Sequence, residues 1–249
     1  MIIKIFKSIA RKIRWIWRFW KFIIEYLEFK NQIDEERLSL SWGDRYLCLD
    51  DKTKNTGFDR HYLYHPAWAA RILAETKPAL HIDISSTLSF ATMLSAFMPV
   101  HFYDYRPADV ELSNLKSEAG NLVNLPFLDS SVVSLSCMHV VEHIGLGRYG
   151  DPIDPNGDLK AMKELKRVLA VGGNFLFVVP VGKPRVMFNA HRVYSYNQVV
   201  EYFFGLNLVS FALISERQDD GGLNFDATPG DVASQNYGCG CFWFRKDVN

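Results

Sequence analysis

The chain has 249 residues, 48% hydrophobic and 22% charged. That composition excludes a disordered, collagenous or low-complexity protein and leaves room for one large domain with an appendage. Its 28 basic and 28 acidic residues balance only on average: residues 1–24 hold seven basic groups and no acid, so the rest carries 21 basic against 28 acidic groups, a net −7. A basic segment joined to an acidic body points to a membrane or nucleic-acid contact made by that segment alone.

In the N-terminal segment Lys4, Lys7, Arg11, Arg14, Arg18 and Lys21 recur at spacings of three and four, one stripe of a helix. Ile2, Ile9, Ile13, Ile16, Trp20 and Ile23 follow another face, and Trp15, Trp17 and Trp20 bring half of the six tryptophans together. The apolar runs are too short for a signal peptide or a spanning helix. The expectation is a helix over residues 1–30 lying in a membrane surface, with cations on anionic head groups and Trp at the interface. A helix packed on the acidic body or on a second subunit is the alternative, and no nucleic-acid partner is expected. Residues 31–60 are polar and turn-rich and read as a linker with a short ordered piece near Ser41–Leu49. The domain proper is expected at 61–249.

Further along, a helix is expected over Pro66–Thr76, with Pro near its start. Apolar strands ending in acids follow at Ala79–Ile84 and Val100–Asp104, separated by a helix over Leu88–Phe97. A short pairing at Asn121–Asn124 leads to a strand at Val132–Cys137. A helix over Asp158–Leu169, capped by Asp158, gives way to a strand at Asn174–Val179. A helix over Ser195–Phe204, capped by Ser195, and strands at Leu208–Ile214 and Cys239–Arg245 complete the chain. Alternating strands and helices imply an α/β fold, a doubly wound and mostly parallel sheet with an antiparallel pair at its end. Ligands of such sheets sit beyond the carboxyl ends of the strands. Four cysteines (Cys48, Cys137, Cys239, Cys241) do not form a disulfide framework, so a reducing, cytoplasmic setting is expected, with the chain peripheral on the membrane. Cys239 and Cys241 read as small residues of a terminal strand, and no metal site is expected.

Three stretches carry a resemblance: Asn121 to Asp129 with Leu125-Pro-Phe127, the strand 132–137 followed by Met138-His-Val-Val-Glu-His-Ile144, and Leu165 to Pro180 with Gly172-Gly173. Together they resemble the class I S-adenosylmethionine-dependent methyltransferases over about Leu80–Phe211. More narrowly, His139–Gly157, Phe188–Ser195 and Tyr237–Arg245 are similar to a group catalogued as domain of unknown function 268. The resemblance implies a Rossmann-like fold, methyl transfer, and S-adenosylmethionine as cofactor. It places Asp83, Ser85 and Ser86 in the cofactor loop, Asp104 on the ribose hydroxyls, Asn121 at the adenine amino group, and Met138 and His139 near the transferred methyl. The family's first loop is glycine-rich, whereas Asp83 to Phe90 contains no glycine; serine amides and hydroxyls at the following helix start are read as the substitute.

For a hydroxyl acceptor, such as a sugar of a glycan or lipid-linked saccharide, a base must remove a proton. His143 and His191 are the candidates. Asp151 and Asp154, in the loop 145–158, and Arg192 are candidate acceptor contacts. A methyltransferase fold without catalysis, serving as a membrane scaffold, is a second reading. A third is a zinc hydrolase, because His139-Val-Val-Glu-His143 matches H-x-x-E-H.

Overall fold

The computed structural model describes residues 2–34 and 36–247, with side chains described from Ile9 onward except at Gln218. The chain divides into two units, 1–57 and 58–249.

The first unit is built on α1 (Ile2–Lys30). The two stripes read from the sequence include Ile2, Lys4 and Lys7, which lie outside the residues with described side chains. Ile9, Ile13, Ile16, Trp20, Ile24 and Leu27 form an exposed apolar row. Another side of α1 is covered by the segment that follows it. Trp42, in a 3-10 turn over Trp42–Asp44 capped by Ser41, packs edge-on against Tyr26 with ring centroids 4.8 Å apart. Arg18 and Glu25 pair with Asp50 and Lys52. Trp42, Asp50 and Lys52 of the segment expected to be a linker thus contact α1, Trp42 within the short ordered piece read near Ser41–Leu49. Among the described residues no helix is long and apolar enough to cross a membrane.

The second unit opens with α2 (Arg60–Thr76), which starts six residues before the expected helix. Asp59 is its N-cap, accepting from the Tyr62 N–H, and Pro66 lies inside the helix rather than in its first turn. Strands β1 (His81–Ile84), β2 (Val100–Asp104), β3 (Leu115–Ala119) and β4 (Val132–Met138) are parallel, with α3 (Leu88–Leu94) between β1 and β2. Asn121 and Asn124 form an isolated bridge, the short pairing read from the sequence, whereas β3 was not foreseen.

After α4 (Gly157–Val168) come β5 (Leu169–Val181), the hairpin β6 (Arg185–Met187) and β7 (His191–Val193), α5 (Tyr196–Tyr202), β8 (Asn207–Ile214), β9 (Leu223–Asn224), α6 (Pro229–Ala233) and β10 (Gly238–Arg245). Ser195 caps α5 through a capping box, as read. Asp158 does not cap α4: Asn156 holds that position, and Asp158 is buried, accepting from the Tyr194 hydroxyl at 2.9 Å. The main sheet has the order β3-β2-β1-β4-β5-β10-β8-β9, and β10 runs antiparallel to both neighbours.

Alternation along β5 shows how the sheet is filled. Phe175, Phe177 and Val179 face a core completed by Ala161, Met162 and Leu165 of α4, Val199 of α5 and Val232 of α6. Leu176 and Val178 face the opposite core, with Trp68, Ile72 and Leu73 of α2 and Phe90 of α3. Two apolar faces covered by helices leave the carboxyl ends of β1, β2 and β4 as the place where backbone and polar side chains can meet a ligand.

Candidate active site

A cavity of about 360 Å³ opens at that edge. Ser85, Asp104, Asn121, His139, His143, Asp151 and Asp154 line it, together with Tyr105, Arg106, Tyr149 and Lys160. Seven of the twelve side chains read from the sequence thus converge on one space. Asp83, Ser86, Met138, His191 and Arg192 do not line it.

The first turn adopts a left-handed residue without glycine. Ser85, just past β1, has φ 53°, in the left-handed region where glycine is favoured. Its N–H and its hydroxyl both donate to the Tyr103 carbonyl, at 2.8 and 3.0 Å, which holds the turn against β2. Ser86 Oγ accepts from the Met138 N–H at 3.1 Å and ties the same turn to β4. Met138 itself is buried in the core on the α2 side. Asp83 is fully buried, and burial raises its pKa to about 7.

Asp104 ends β2 with one carboxylate oxygen accepting from the Arg106 N–H at 2.7 Å. No other side-chain hydrogen bond to it is present among the described residues, and Asp104 lines the cavity. Asn121 Oδ1 accepts from the Val123 N–H at 3.2 Å, a local turn that fixes the side chain at the rim.

The residues after β4 form a single 3-10 turn, Val141–His143, not a long helix. His139 and His143 therefore do not share the helical face that H-x-x-E-H chemistry needs. His139, at φ 58°, bonds instead to Glu142: its Nδ1 lies 2.9 Å from Glu142 Oε1. Both are buried, and burial lowers the His139 pKa to about 4 and raises that of Glu142 to about 7. His143 Nδ1 donates to the Ala190 carbonyl at 2.6 Å, which places its proton on Nδ1 and leaves Nε2 as the basic nitrogen. Burial lowers its pKa below the usual 6.5. His191, on β7, stands behind it with ring centroids 6.4 Å apart, packed on Tyr237.

The loop from Gly145 to Asp158 forms the outer wall. Asp151 accepts from the N–H groups of Gly145 (2.7 Å) and Tyr149 (3.2 Å), and Asp154 pairs with Lys160 at 2.6 Å. Both carboxylates thus shape the loop as well as line the cavity. Arg192 is buried below it, donating to the carbonyls of Ile144 at 2.7 Å and Pro155 at 3.3 Å. Gly145 has φ 80°, and a Cβ there would meet the Asp154 carbonyl at 2.0 Å, so the two stems of the loop touch. Tyr149 projects from the loop between Arg106 and Arg148, whose guanidinium carbons lie 4.7 and 5.1 Å from its ring.

Sequence reasoning missed Tyr149, Arg106 and the group around His139: His61, Tyr62 and His65 of α2 have ring centroids within 5.4 Å of it. Glu142 was visible only as the acid of a motif that the turn geometry does not form.

Residues 129–226 match the family described as "Caenorhabditis protein of unknown function, DUF268". No curated protein matches the chain. Among solved structures, a protein designated a methyltransferase from Bacillus halodurans C-125 is 15% identical, with 74% of this chain and 99% of that one covered and a TM-score of 0.53. One designated a sarcosine dimethylglycine methyltransferase from Galdieria sulphuraria is 15% identical, covering 74% and 85%, with a TM-score of 0.52. The [4+2]-cyclase SpnF is 13% identical, covering 79% and 86%, with a TM-score of 0.51. Identities this low speak to the fold alone. Residues 129–226 are thus similar to the DUF268 family, and the chain has the Rossmann-like fold seen in these methyltransferase structures.

Proposed function

We propose that the chain is an S-adenosylmethionine-dependent methyltransferase acting on a hydroxyl acceptor, a sugar of a glycan or lipid-linked saccharide, at a membrane surface. The observation that carries this reading is Asp104, which lines the cavity at the tip of β2 and accepts one hydrogen bond, from the Arg106 N–H. Two vicinal ribose hydroxyls need such an acceptor, and an ionised carboxylate gives charge-assisted bonds. Ser85 and Asn121 line the same cavity, one beside the end of β1 and the other in a position suited to the adenine, and this supports the reading. S-adenosylmethionine, when bound, supplies an electrophilic methyl group on a sulfonium sulfur. The chain's own part is to hold the acceptor oxygen in line and to take its proton at His143 Nε2. Asp151 and Asp154 are placed to orient acceptor hydroxyls with the acceptor sites their loop bonds leave open.

The membrane assignment rests on the seven cations of residues 1–24 and the exposed row from Ile9 to Leu27. Each cation near an anionic surface contributes roughly 1 kcal/mol. In that setting the chain is peripheral on the cytoplasmic face.

Isothermal titration of the full chain with S-adenosylmethionine and S-adenosylhomocysteine tests the first part. Binding of either, weakened about 5- to 150-fold by Asp104→Ala through loss of about 1–3 kcal/mol, is expected. No heat with either ligand overturns the reading and leaves the scaffold. Flotation with phosphatidylserine vesicles tests the second part: the intact chain should float, and a Trp15→Ala, Trp17→Ala, Trp20→Ala variant should not.

A further inference from the structure

We infer that His61, His139 and Cys239 form a divalent-metal site suited to zinc, against the inner wall of the cavity. The three residues come from the first turn of α2, the turn after β4 and the start of β10, and all are buried. Their candidate ligand atoms lie within 4.8 Å of one another. A tetrahedral zinc, with Zn–N of about 2.0–2.1 Å and Zn–S of about 2.3 Å, sets such atoms about 3.3–3.6 Å apart. Closing the widest gap takes an inward movement of about 1.2–1.5 Å, in which the His61 and His139 rings, stacked at 5.4 Å with planes 11° apart, tilt toward the shared centre.

Two independent observations point to a ligand rather than to ordinary packing. His139 Nε2 is sealed from solvent and has no hydrogen-bond partner among the described residues. A buried polar atom in that state is costly unless something occupies its lone pair. The other ring nitrogen, Nδ1, is held at 2.9 Å by Glu142 Oε1. A carboxylate behind an imidazole fixes the proton on the near nitrogen and turns the far one outward as a donor to metal, the arrangement found behind most metal-bound histidines.

Two imidazoles and a thiolate favour zinc over magnesium or calcium, which take oxygen ligands. On binding, the Cys239 S–H bond breaks, the Zn–S bond forms and the proton leaves to solvent. Three protein ligands leave a fourth position for water. The metal would fasten α2, β4 and β10 together behind the residues that line the cavity. This site does not rest on the methyltransferase reading, and it stands or falls separately.

The test uses the full chain, stripped of metal with a chelator and confirmed folded by circular dichroism, with cobalt(II) as probe and elemental analysis of the protein as purified. The expected result is one cobalt per chain with an intense near-ultraviolet thiolate-to-cobalt band, displaced by zinc. Cys239→Ser should abolish the band and Cys241→Ser should keep it. His61→Gln should weaken binding, as should Glu142→Gln, by about 10- to 100-fold. The inference is overturned if the folded wild-type chain takes up no stoichiometric cobalt or zinc, or if the band survives Cys239→Ser. Should Cys239→Ser not fold, the wild-type titration and His61→Gln decide. Copper in place of zinc in the purified protein overturns the choice of metal.

Discussion

The Ser136 hydroxyl donates to Asp83 Oδ1 across 2.5 Å, between neighbouring strands and out of reach of solvent. Because that hydroxyl has one proton, its 2.9 Å contact with His81 Nε2 must run the other way, with the imidazole N–H donating. His81 Nδ1 is then an acceptor, served by the Ser134 hydroxyl at 2.8 Å. One direction of donation runs through four buried side chains from Ser134 to Asp83, directly behind the Ser85 turn. Ser136→Ala removes an acceptor and a donor at once. Urea denaturation should show a loss of about 2–4 kcal/mol, and a loss under 1 kcal/mol would refute the directed chain.

Asp83 makes this region sensitive to alkali. Burial raises its carboxyl pKa from 3.8 to about 7. A carboxyl raised on folding contributes stability that is present in full below its unfolded pKa, near 3.8, and is lost as pH rises through the folded value near 7. Asp83→Asn removes this dependence while still accepting from Ser136. The variant should gain stability over wild type between pH 5 and pH 8, by up to about 3 kcal/mol, since about two units of the shift are lost in that window. A difference between the two proteins that does not change with pH would contradict the assignment.

Ser85 tests whether the left-handed turn is strained. Replacement by glycine relieves the backbone but removes the hydroxyl bond to Tyr103, and the two effects are of similar size, about 1 kcal/mol each. Thermal unfolding of Ser85→Gly should therefore stay within about 1 kcal/mol of wild type. Ser85→Val, with a branched Cβ at positive φ, should lose about 1–3 kcal/mol. A valine variant as stable as wild type would show that the turn relaxes.

His143 sets the expected pH profile of methyl transfer. Its pKa is held below 6.5 by burial, so Nε2 is unprotonated at neutral pH. The rate should be flat around pH 7–8 and fall as acid protonates the imidazole. His143→Gln should lower kcat about 10²- to 10⁴-fold and leave the Kd for S-adenosylmethionine unchanged. An unaltered rate would remove His143 from the chemistry.

Much of this fold is legible in the residues, and the failures have physical causes. Val100–Asp104 is apolar and ends in an acid, and it is a strand over those bounds. β3 is a polar edge strand with Leu115 its one buried residue, so it leaves no alternating signal. α2 was read short because Pro66 suggests a helix start, whereas Asp59 provides one six positions before the read start, and tertiary packing tolerates the proline. Asp158 has the right residue type for a cap but is drawn inward by Tyr194.

At the site, sequence order places residues at a strand end but not on a side of it. Asp104 and Met138 both end strands, yet one opens to the cavity and the other turns into the core. The group joining His61, His139 and Cys239 has no motif, because its members are about eighty and one hundred residues apart and meet only when α2 and β10 close on β4.

Arg192 holds the carbonyls of Ile144 and Pro155 where the outer wall leaves the body, and Asp151 holds the Gly145 and Tyr149 N–H groups from within it. The wall is thus laced at both ends by side chains bonding to backbone, and Leu146 is buried beneath it. A redesign of this segment can alter its outward-facing positions, but it must keep those two knots and that anchor.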